Sequence, residues 1–349
     1  MVSPYLHEAS LWTSAPEERV VCGLCAHRCA IAPGRRGVCG VRENKSGALV
    51  THAYGAVVAA NVDPIEKKPL YHFLPGTTSM SVAAAGCNFK CGFCQNWSIS
   101  QAAAGDEGGL GGRPLSPEGI AGLAVERRCR SVSYTYTEPT IFFEYARDTA
   151  VAAKAAGLAN VFVSNGYMTP EAIEAARPWL DAANVDLKAF RDETYRKVCG
   201  ARLQPVLDSI RALLAAGVWI EVTTLVVPGL NDGEEELRDI ARFLAAAGRD
   251  IPWHISRFHP DYEMTDRGPT PAATLARAAE IGRREGLRFV YVGNVPGEGD
   301  ATDCPACGAA LIQRSGFFVL ENRIGGGGLC PDCGASVAGR WTLPAPEGR

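Results

Sequence analysis

Cysteines are the residues of this chain whose type and spacing suggest chemistry. The 349 residues include 13 cysteines, and all but Cys129 and Cys199 belong to three groups. The groups are Cys22, Cys25, Cys29 and Cys39; Cys87, Cys91 and Cys94; and Cys304, Cys307, Cys330 and Cys333. Disulfide frameworks are typical of small secreted domains, whereas this chain is long and starts without the basic and apolar segments of an export signal. The grouping therefore predicts thiolate ligands for metals in a reducing compartment.

The middle group predicts an iron–sulfur cluster. Cys87, Cys91 and Cys94 follow the spacing C-x3-C-x2-C, with Phe93 directly before the last cysteine. Three thiolates within so short a segment suit a [4Fe–4S] cluster, which takes four thiolates when fully liganded. The missing fourth thiolate leaves one iron open for a substrate or cofactor, as in catalytic zinc sites. A zinc knuckle that borrows a distant ligand is the alternative.

The C-terminal group predicts a zinc ribbon. Two C-x2-C pairs, Cys304 with Cys307 and Cys330 with Cys333, are separated by the segment 308–329. Paired knuckles at this separation are typical of a tetrahedral four-thiolate site. Iron in a rubredoxin-like site would use the same ligands, but the ligand type favours Zn²⁺.

The N-terminal group leaves the identity of its metal open. Cys22, Cys25, Cys29 and Cys39 are separated by two, three and nine residues. The set suits either Zn²⁺ or an auxiliary iron–sulfur cluster. An auxiliary cluster would relay electrons, whereas zinc would only fold the segment.

Strands and helices alternate through the middle of the chain. Apolar, β-rich runs predict strands at 80–85, 131–135, 161–163, 184–187, 219–227, 252–258 and 289–292. After a glycine-rich stretch at 105–112, caps and periodicity predict helices at 117–128, 140–156, 169–180, 203–216, 232–247 and 270–285. This alternation indicates an α/β fold with a parallel sheet, arranged as a partial (β/α)6-type barrel. In such a barrel the loops that follow the strands form the active face.

The cysteine groups and the alternating pattern divide the chain into three predicted domains. Residues 1–75 form a small Cys-rich N-terminal module, residues 76–300 the barrel core, and residues 301–349 a zinc-ribbon-like C-terminal module. Segments this small seldom bury enough surface to fold alone, so we expect metals to stabilise both outer modules.

Composition argues against several classes of protein. Hydrophobic residues make up 47% and charged residues 21% of the chain, as in ordinary globular proteins. A formal net charge of -3 gives no bulk attraction to nucleic acid or to an anionic membrane. No apolar stretch approaches the roughly 18 residues of a spanning helix, so we expect a cytoplasmic protein without a membrane partner. A non-catalytic zinc protein is an alternative, but it leaves the middle cysteines unexplained.

The motif around Cys87 resembles that of the radical S-adenosylmethionine (SAM) superfamily, in its branch of pyruvate formate-lyase activating enzymes. The resemblance implies that Cys87, Cys91 and Cys94 hold the catalytic [4Fe–4S] cluster and that SAM chelates the open iron. An electron from the reduced cluster would then cleave SAM to methionine and a 5′-deoxyadenosyl radical, which abstracts hydrogen from a substrate. The sequence does not identify that substrate. An activase that places a glycyl radical on a partner protein is the alternative function.

The same resemblance assigns SAM contacts to residues at the ends of predicted strands. These residues are Glu138, Asn165, Asp186, Lys188 and His259, with His254 as a rival of His259. Glu138 follows Tyr136 and Thr137 where the family has a Gly-Gly-Glu-type element, so only the glutamate matches well. Strand periodicity places Asp186 and Lys188 on one face, where they suit the ammonium and carboxylate groups of SAM. The plainer alternatives are an interior ion pair for Asp186 and Lys188 and a helix-start acid for Glu138.

Further motifs narrow the resemblance to the AmmeMemoRadiSam-system radical SAM enzymes. They are Cys25-Ala26-His27-Arg28-Cys29, Gly37-Val38-Cys39-Gly40-Val41-Arg42, Trp253-His254-Ile255-Ser256-Arg257-Phe258 and Gly339-Arg340-Trp341. With the Cys87 motif, the resemblance covers roughly residues 20–342. It implies AMMECR-type and Memo-type proteins as partners and an electron donor such as flavodoxin or ferredoxin.

Overall fold

The computed structural model describes residues 5–102, 111–295, 301–325 and 327–343. Most of the predicted glycine-rich stretch at 105–112 lies outside these ranges. Within them the chain forms one sheet of nine strands and three sheets of three strands each. Over the same ranges, no helix is both long and apolar enough to cross a lipid bilayer.

Short antiparallel strands form the N-terminal part of the chain. They are β1 (His7–Glu8), β2 (Trp12–Ala15), β3 (Arg19–Cys22), β4 (Ala30–Ile31), β5 (Arg42–Lys45) and β6 (Ala48–Thr51). They pair into two sheets with the strand orders β1-β6-β5 and β2-β3-β4. Val20, Ile31 and Val41 are fully or almost fully buried in the same apolar core as the barrel. The N-terminal part therefore packs directly on the barrel.

A nine-stranded sheet forms the centre of the molecule. Its strands are β7 (Ala56–Pro64), β8 (Thr78–Ala84), β9 (Arg113–Pro114), β10 (Ser131–Tyr134), β11 (Ala159–Ser164), β12 (Ala182–Asp186), β13 (Trp219–Val226), β14 (Trp253–Arg257) and β15 (Val290–Gly293). The order is β15-β14-β13-β12-β11-β10-β8-β7-β9. Every neighbouring pair from β15 to β8 is parallel. The parallel strands and the helices between them confirm the predicted α/β fold. The sheet is open at both ends, so the barrel is partial, as predicted.

Helices follow most of the parallel strands. They are α1 (Trp97–Ser100), α2 (Pro117–Glu126), α3 (Phe143–Ala155), α4 (Pro170–Ala176), α5 (Asp192–Thr194), α6 (Leu203–Ala215), α7 (Glu234–Ala247) and α8 (Ala272–Arg284). Ser116 and Thr169 cap α2 and α4 through their side-chain oxygens, and each is followed by proline at the first helical position. The helix α3 begins later than residue 140, because Pro139–Phe142 form a 3₁₀ turn capped by Glu138.

The strand β7 differs from the sequence-based expectation. Residues 56–64 fall in the predicted N-terminal module, yet β7 pairs antiparallel with β8 in the barrel sheet. The connection from β7 to β8 contains a 3₁₀ turn at Ile65–Lys67 instead of an α-helix, so the alternating pattern does not reveal it. Leu70 and Phe73 of this connection pack against Val161 of the barrel. The three-domain division itself stays a prediction.

The C-terminal part is a small antiparallel sheet that docks on the barrel. Its strands are β16 (Thr302–Asp303), β17 (Ala310–Ser315) and β18 (Phe318–Asn322). Leu311 and Ile312 are buried against Tyr71 and Tyr291 of the barrel side. The guanidinium group of Arg314 lies 4.3 Å from the centre of the Tyr71 ring and donates a hydrogen bond of 2.8 Å to the Tyr71 carbonyl oxygen. These contacts hold the β17–β18 turn beside the barrel mouth.

Candidate active site

The loop after β8 carries the middle cysteines and begins with a glycine that no other residue could replace without movement. Gly86 has a φ of +103°, and a Cβ atom there would lie 2.8 Å from Cγ1 of Val41. The same atom would lie 3.0 Å from the carbonyl oxygen of Cys39. Glycine therefore lets this loop approach the N-terminal part closely.

The thiols of Cys87, Cys91 and Cys94 have the surroundings of cluster ligands. The backbone N–H of Phe89 donates to Sγ of Cys87 over 3.3 Å, and Oγ of Ser100 lies 3.1 Å from Sγ of Cys94. Hydrogen bonds to sulfur are among the features by which proteins tune iron–sulfur clusters. Burial raises the pKa of Cys87 and that of Cys94. The donor set fits a [4Fe–4S] cluster with one iron free of protein ligands.

A cleft of about 530 Å³ opens above these thiols at the carboxyl ends of the parallel strands. It is lined by Cys87, Cys91 and Cys94 together with Glu138, Asn165, Asp186 and Lys188. The structure thus brings together the cluster cysteines and all but one of the residues predicted to contact SAM. Phe317, from the β17–β18 turn, also lines the cleft.

Glu138 is buried at the end of β10 and holds a dense set of hydrogen bonds. Its Oε1 accepts from the backbone N–H of Thr140 and from the hydroxyl of Ser164, as well as from the hydroxyl of Thr140. Its Oε2 accepts from the backbone N–H of Asn165 over 2.8 Å. Burial raises the pKa of Glu138. The residue caps the following turn, and Oε2 retains capacity to accept a further donor.

Asp186 and Lys188 form an ion pair that faces the cleft. Nζ of Lys188 lies 2.9 Å from Oδ2 of Asp186. Burial favours the neutral amine, but the charge of Asp186 raises the pKa of Lys188 well above its ordinary value. Leu187, between them, is fully buried, which agrees with the predicted alternation of faces. The position of the pair fits both predicted interpretations, an ion pair and a contact to SAM.

The two candidate histidines lie in different surroundings. His259 is exposed at the rim, where Nε2 of Gln95 lies 3.0 Å from its Nε2. His254 is buried, and its Nε2 lies 2.6 Å from Oε2 of Glu221. Glu221 also accepts hydrogen bonds from the backbone N–H groups of Tyr71 and His72. His254 is therefore part of a buried hydrogen-bond network.

One polar cluster in the cleft was missed by the sequence analysis. Lys68 and Tyr136 both line the cleft, and both bond to Oδ2 of Asp63. Burial lowers the pKa of Lys68 to about 8. Tyr136 has a φ of +64°, at the place where the family element carries glycine. The signal in the sequence was Tyr136 in place of the first glycine of the Gly-Gly-Glu element. A tyrosine with positive φ is strained, so neighbouring side chains must hold it in place.

Cys199 was also missed, because the sequence shows it as an isolated thiol. The backbone N–H of Lys90 donates to the carbonyl oxygen of Cys199 over 2.8 Å, which ties the cluster loop to this residue. The Cys199 thiol lies against that of Cys91, and this contact raises the pKa of Cys91 and lowers that of Cys199. No local sequence signal indicates this pairing.

The C-terminal cysteines converge on a single point, as predicted. The Sγ atoms of Cys304, Cys307, Cys330 and Cys333 all lie within 4.8 Å of one another. Those of Cys304 and Cys333 are 3.7 Å apart, and those of Cys307 and Cys330 are 3.8 Å apart. Tetrahedral zinc with Zn–S bonds of about 2.3 Å requires sulfurs about 3.8 Å apart. These thiols could therefore hold one metal ion.

We expect Cys307→Ala to release the ion from the C-terminal site without removing the cluster. Loss of one thiolate leaves the tetrahedron incomplete, so the zinc content should fall by about one ion per chain. Metal analysis of anaerobically prepared protein measures both zinc and iron. Cys129→Ala, which removes a buried thiol outside the three groups, is the control and should keep its zinc. An ion that proves to be iron would contradict the assignment of zinc.

Comparisons with known proteins show which family this chain resembles. The radical SAM superfamily model matches residues 82–244. An uncharacterized protein of Methanocaldococcus jannaschii is 46% identical over 311 residues, which cover 88% of this chain and 92% of that protein. The pyruvate formate-lyase 1-activating enzyme of Escherichia coli is 21% identical over 228 residues, covering 59% of this chain and 89% of the enzyme. A radical SAM methyltransferase structure from Sphaerobacter thermophilus covers 64% of this chain and 68% of its own, with 16% identity and a TM-score of 0.50.

These similarities settle the class of protein. The alternative of a non-catalytic zinc protein is wrong, because the matched region contains Cys87, Cys91 and Cys94 and most of the other residues that line the cleft. The superfamily implies a [4Fe–4S] cluster and SAM, and the thiols of the cleft fit that cluster. The chain belongs to the radical SAM superfamily and is a radical SAM enzyme.

Proposed function

We propose that this enzyme uses SAM to abstract a hydrogen atom from a substrate that the cleft admits beside Cys87, Cys91 and Cys94. The observation that carries the proposal is the convergence of these thiols with four of the predicted SAM contacts, Glu138, Asn165, Asp186 and Lys188, on one cleft of about 530 Å³. The bound cluster supplies the electron that cleaves SAM to methionine and a 5′-deoxyadenosyl radical. The residues of the chain bind, orient and shield these groups.

SAM would bind through residues at three strand ends. Oε2 of Glu138 has capacity for a further donor such as the ammonium group of SAM, because it accepts only the backbone N–H of Asn165 among the described residues. Lys188 supplies a positive charge for the carboxylate, and Asp186 balances it. Asn165 and His259 complete the set, His259 from the rim, where a ribose would lie. Phe317 helps to keep water from the cleft.

The test is SAM cleavage by anaerobically reconstituted protein. With dithionite and SAM, chromatography should detect 5′-deoxyadenosine and methionine. Protein with its iron fully loaded that never forms 5′-deoxyadenosine would contradict the proposal. In the same assay, Glu138→Gln should raise the SAM concentration needed for half-maximal cleavage by about 10- to 100-fold, as expected for loss of a charged hydrogen bond. Glu174→Gln, an exposed glutamate of α4, is the matched control.

Activation of a glycyl radical enzyme is a second candidate function. The similarity to the Escherichia coli activating enzyme favours it, since that similarity covers 89% of that enzyme. Incubation with candidate partner proteins, followed by electron paramagnetic resonance, tests this role. A protein-borne glycyl radical would establish it, and SAM cleavage without such a signal would favour another substrate.

We also propose the finer affiliation and the partners. The motifs around Cys25, Cys39 and His254 support membership of the AmmeMemoRadiSam-system enzymes. AMMECR-type and Memo-type proteins are then candidate partners, and flavodoxin or ferredoxin is the candidate electron donor. A cytoplasmic location follows from the requirement of the thiolate ligands for a reducing compartment.

A further inference from the structure

The four N-terminal thiols surround one small cavity beside the cluster loop. Cys22, Cys25, Cys29 and Cys39 line it together with Thr140 and Ile141 of the turn after β10 and several apolar side chains. Cys22 ends β3, and the backbone of Cys25 bridges to Met168 of the barrel. The sequence could not decide which metal, zinc or an iron–sulfur cluster, these thiols hold.

Distances between sulfur atoms separate the two alternatives. In the described ranges, only the C-terminal thiols form a set of three or more ligand atoms all within 4.8 Å of one another. No three of the N-terminal thiols therefore lie within 4.8 Å of one another, whereas a single tetrahedral zinc ion requires all its sulfurs to be roughly 3.8 Å apart. In a [4Fe–4S] cluster each thiolate binds a different iron, so its ligands are more widely spaced. Cys87, Cys91 and Cys94 share this wider spacing.

A buried cation faces the same cavity. Nη1 of Arg42 lies 3.5 Å from Sγ of Cys22, and the Arg42 side chain is 2% exposed. A cluster with four thiolate ligands carries net negative charge, and a buried charge requires compensation. Arg42 also pairs with Oε1 of Glu144, so at the cavity wall it offers a hydrogen-bond donor to the sulfur of Cys22 and not an uncompensated positive charge.

Asn88 joins the N-terminal thiols to the cluster loop. Its side chain is 1% exposed, and its Nδ2 has no hydrogen-bond partner within the described part of the chain. The carbonyl oxygen of Asn88 lies 2.8 Å from Nε2 of His27, which stands between Cys25 and Cys29 in the sequence. On its other side, Oδ1 of Asn88 lies 3.9 Å from Sγ of Cys87. A buried N–H group without an oxygen partner, between the N-terminal thiols and Cys87, fits a donor to a cluster sulfur.

We propose that Cys22, Cys25, Cys29 and Cys39 hold a second [4Fe–4S] cluster that passes electrons to the cluster at Cys87. A low-potential one-electron donor of the flavodoxin or ferredoxin class reduces the N-terminal cluster by one electron. That electron then moves past Asn88 to the cluster at Cys87, so one cluster is oxidised as the other is reduced. No proton moves and no bond changes. The second step rests on the proposed function, whereas the presence of the cluster does not.

Iron content tests the presence of the cluster. Anaerobically reconstituted wild-type protein should contain about eight iron and eight sulfide ions, and Cys87→Ala/Cys91→Ala/Cys94→Ala should keep about four of each. Cys22→Ala/Cys25→Ala/Cys29→Ala should also keep about four. Mössbauer spectra of the wild-type protein give the same count if a variant fails to fold. Wild-type protein with about four iron and two zinc ions would overturn the proposal.

Electron delivery tests the relay. With reduced flavodoxin as the donor, Cys22→Ala/Cys25→Ala/Cys29→Ala should form 5′-deoxyadenosine at least about tenfold more slowly than the wild type. With dithionite, a small reductant that reaches the cleft directly, the loss should be smaller. Equal losses with both reductants would overturn the relay. Absence of cleavage in the wild type with dithionite would instead count against the proposed function, and the iron count would still decide the cluster.

Discussion

Replacing Cys94 by alanine is expected to reduce 5′-deoxyadenosine formation to the background of enzyme-free samples. Cys94 is one of only three thiols from the loop after β8 that line the cleft, and two thiolates do not retain a [4Fe–4S] cluster that normally uses three or four. The loss should exceed about 100-fold, which is more than removal of a hydrogen-bond partner of a metal ligand usually costs. Chromatography of anaerobic reactions with dithionite and SAM measures it.

The choice of variant and control follows from the contacts of the other thiols. Cys91 lies against Cys199, so Cys91→Ala leaves a second thiol near the cluster and should be tested together with Cys91→Ala/Cys199→Ala. Cys129→Ala removes a buried thiol at the end of α2 and should cleave SAM within about twofold of the wild type. Wild-type rates in Cys94→Ala would mean that the loop does not hold the catalytic cluster.

Replacing Arg42 by alanine is expected to destabilise the protein by about 3–5 kcal/mol. Arg42 pairs with Glu144 of α3, and the two side chains are 2% and 1% exposed. Oε1 of Glu144 also accepts from the backbone N–H of Ser10 over 2.7 Å. Removing the guanidinium leaves the carboxylate buried without its cation, which is the costly way to break such a pair. The apparent free energy of unfolding in urea, measured anaerobically, gives the effect.

Two comparisons make the Arg42 result specific. Arg177→Ala breaks an exposed pair with Glu174, whose side chains are 52% and 69% exposed, and should leave the free energy of unfolding almost unchanged. Arg42→Met/Glu144→Leu should cost less than Arg42→Ala, because it leaves no buried charge unpaired. If Arg42→Ala and Arg177→Ala were equally mild, this pair would not be what joins the N-terminal part to the barrel.

Much of the barrel could be predicted because its strands are buried on both faces. All four residues of β10 are buried. In the sequence such a strand is a short β-rich run between two segments with helical periodicity, and it is therefore easy to recognise. Boundaries were less accurate: α4 ends at Ala176 instead of residue 180. The strand β7 was missed, because an antiparallel neighbour joined without an α-helix breaks the alternating pattern. Its residues from Ala60 to Val62 are partly or fully exposed, which further weakens the apolar signal.

The candidate site was predictable where chemistry resides in a local motif or at a strand end. Cys87, Glu138 and Lys188 are such residues, and all three line the cleft. Asn88 and Cys199 act through contacts between segments that are distant in sequence. A single sequence does not show which distant segments are in contact. The residues next to Asn88 and Cys199 in the sequence form no motif that would indicate their roles.

Phe317 makes the C-terminal module part of the wall of the cleft. The chamber that would confine a carbon radical is thus completed by a segment whose shape depends on four thiols that take no part in the radical chemistry. Enzyme that lost the ion of the C-terminal site would then keep its iron–sulfur cluster in a chamber with an incomplete wall. Electrons would then be consumed by SAM cleavage that is not followed by hydrogen abstraction from the substrate. The supply of that metal would therefore change the fraction of cleavage events that yield product more than the rate of SAM cleavage.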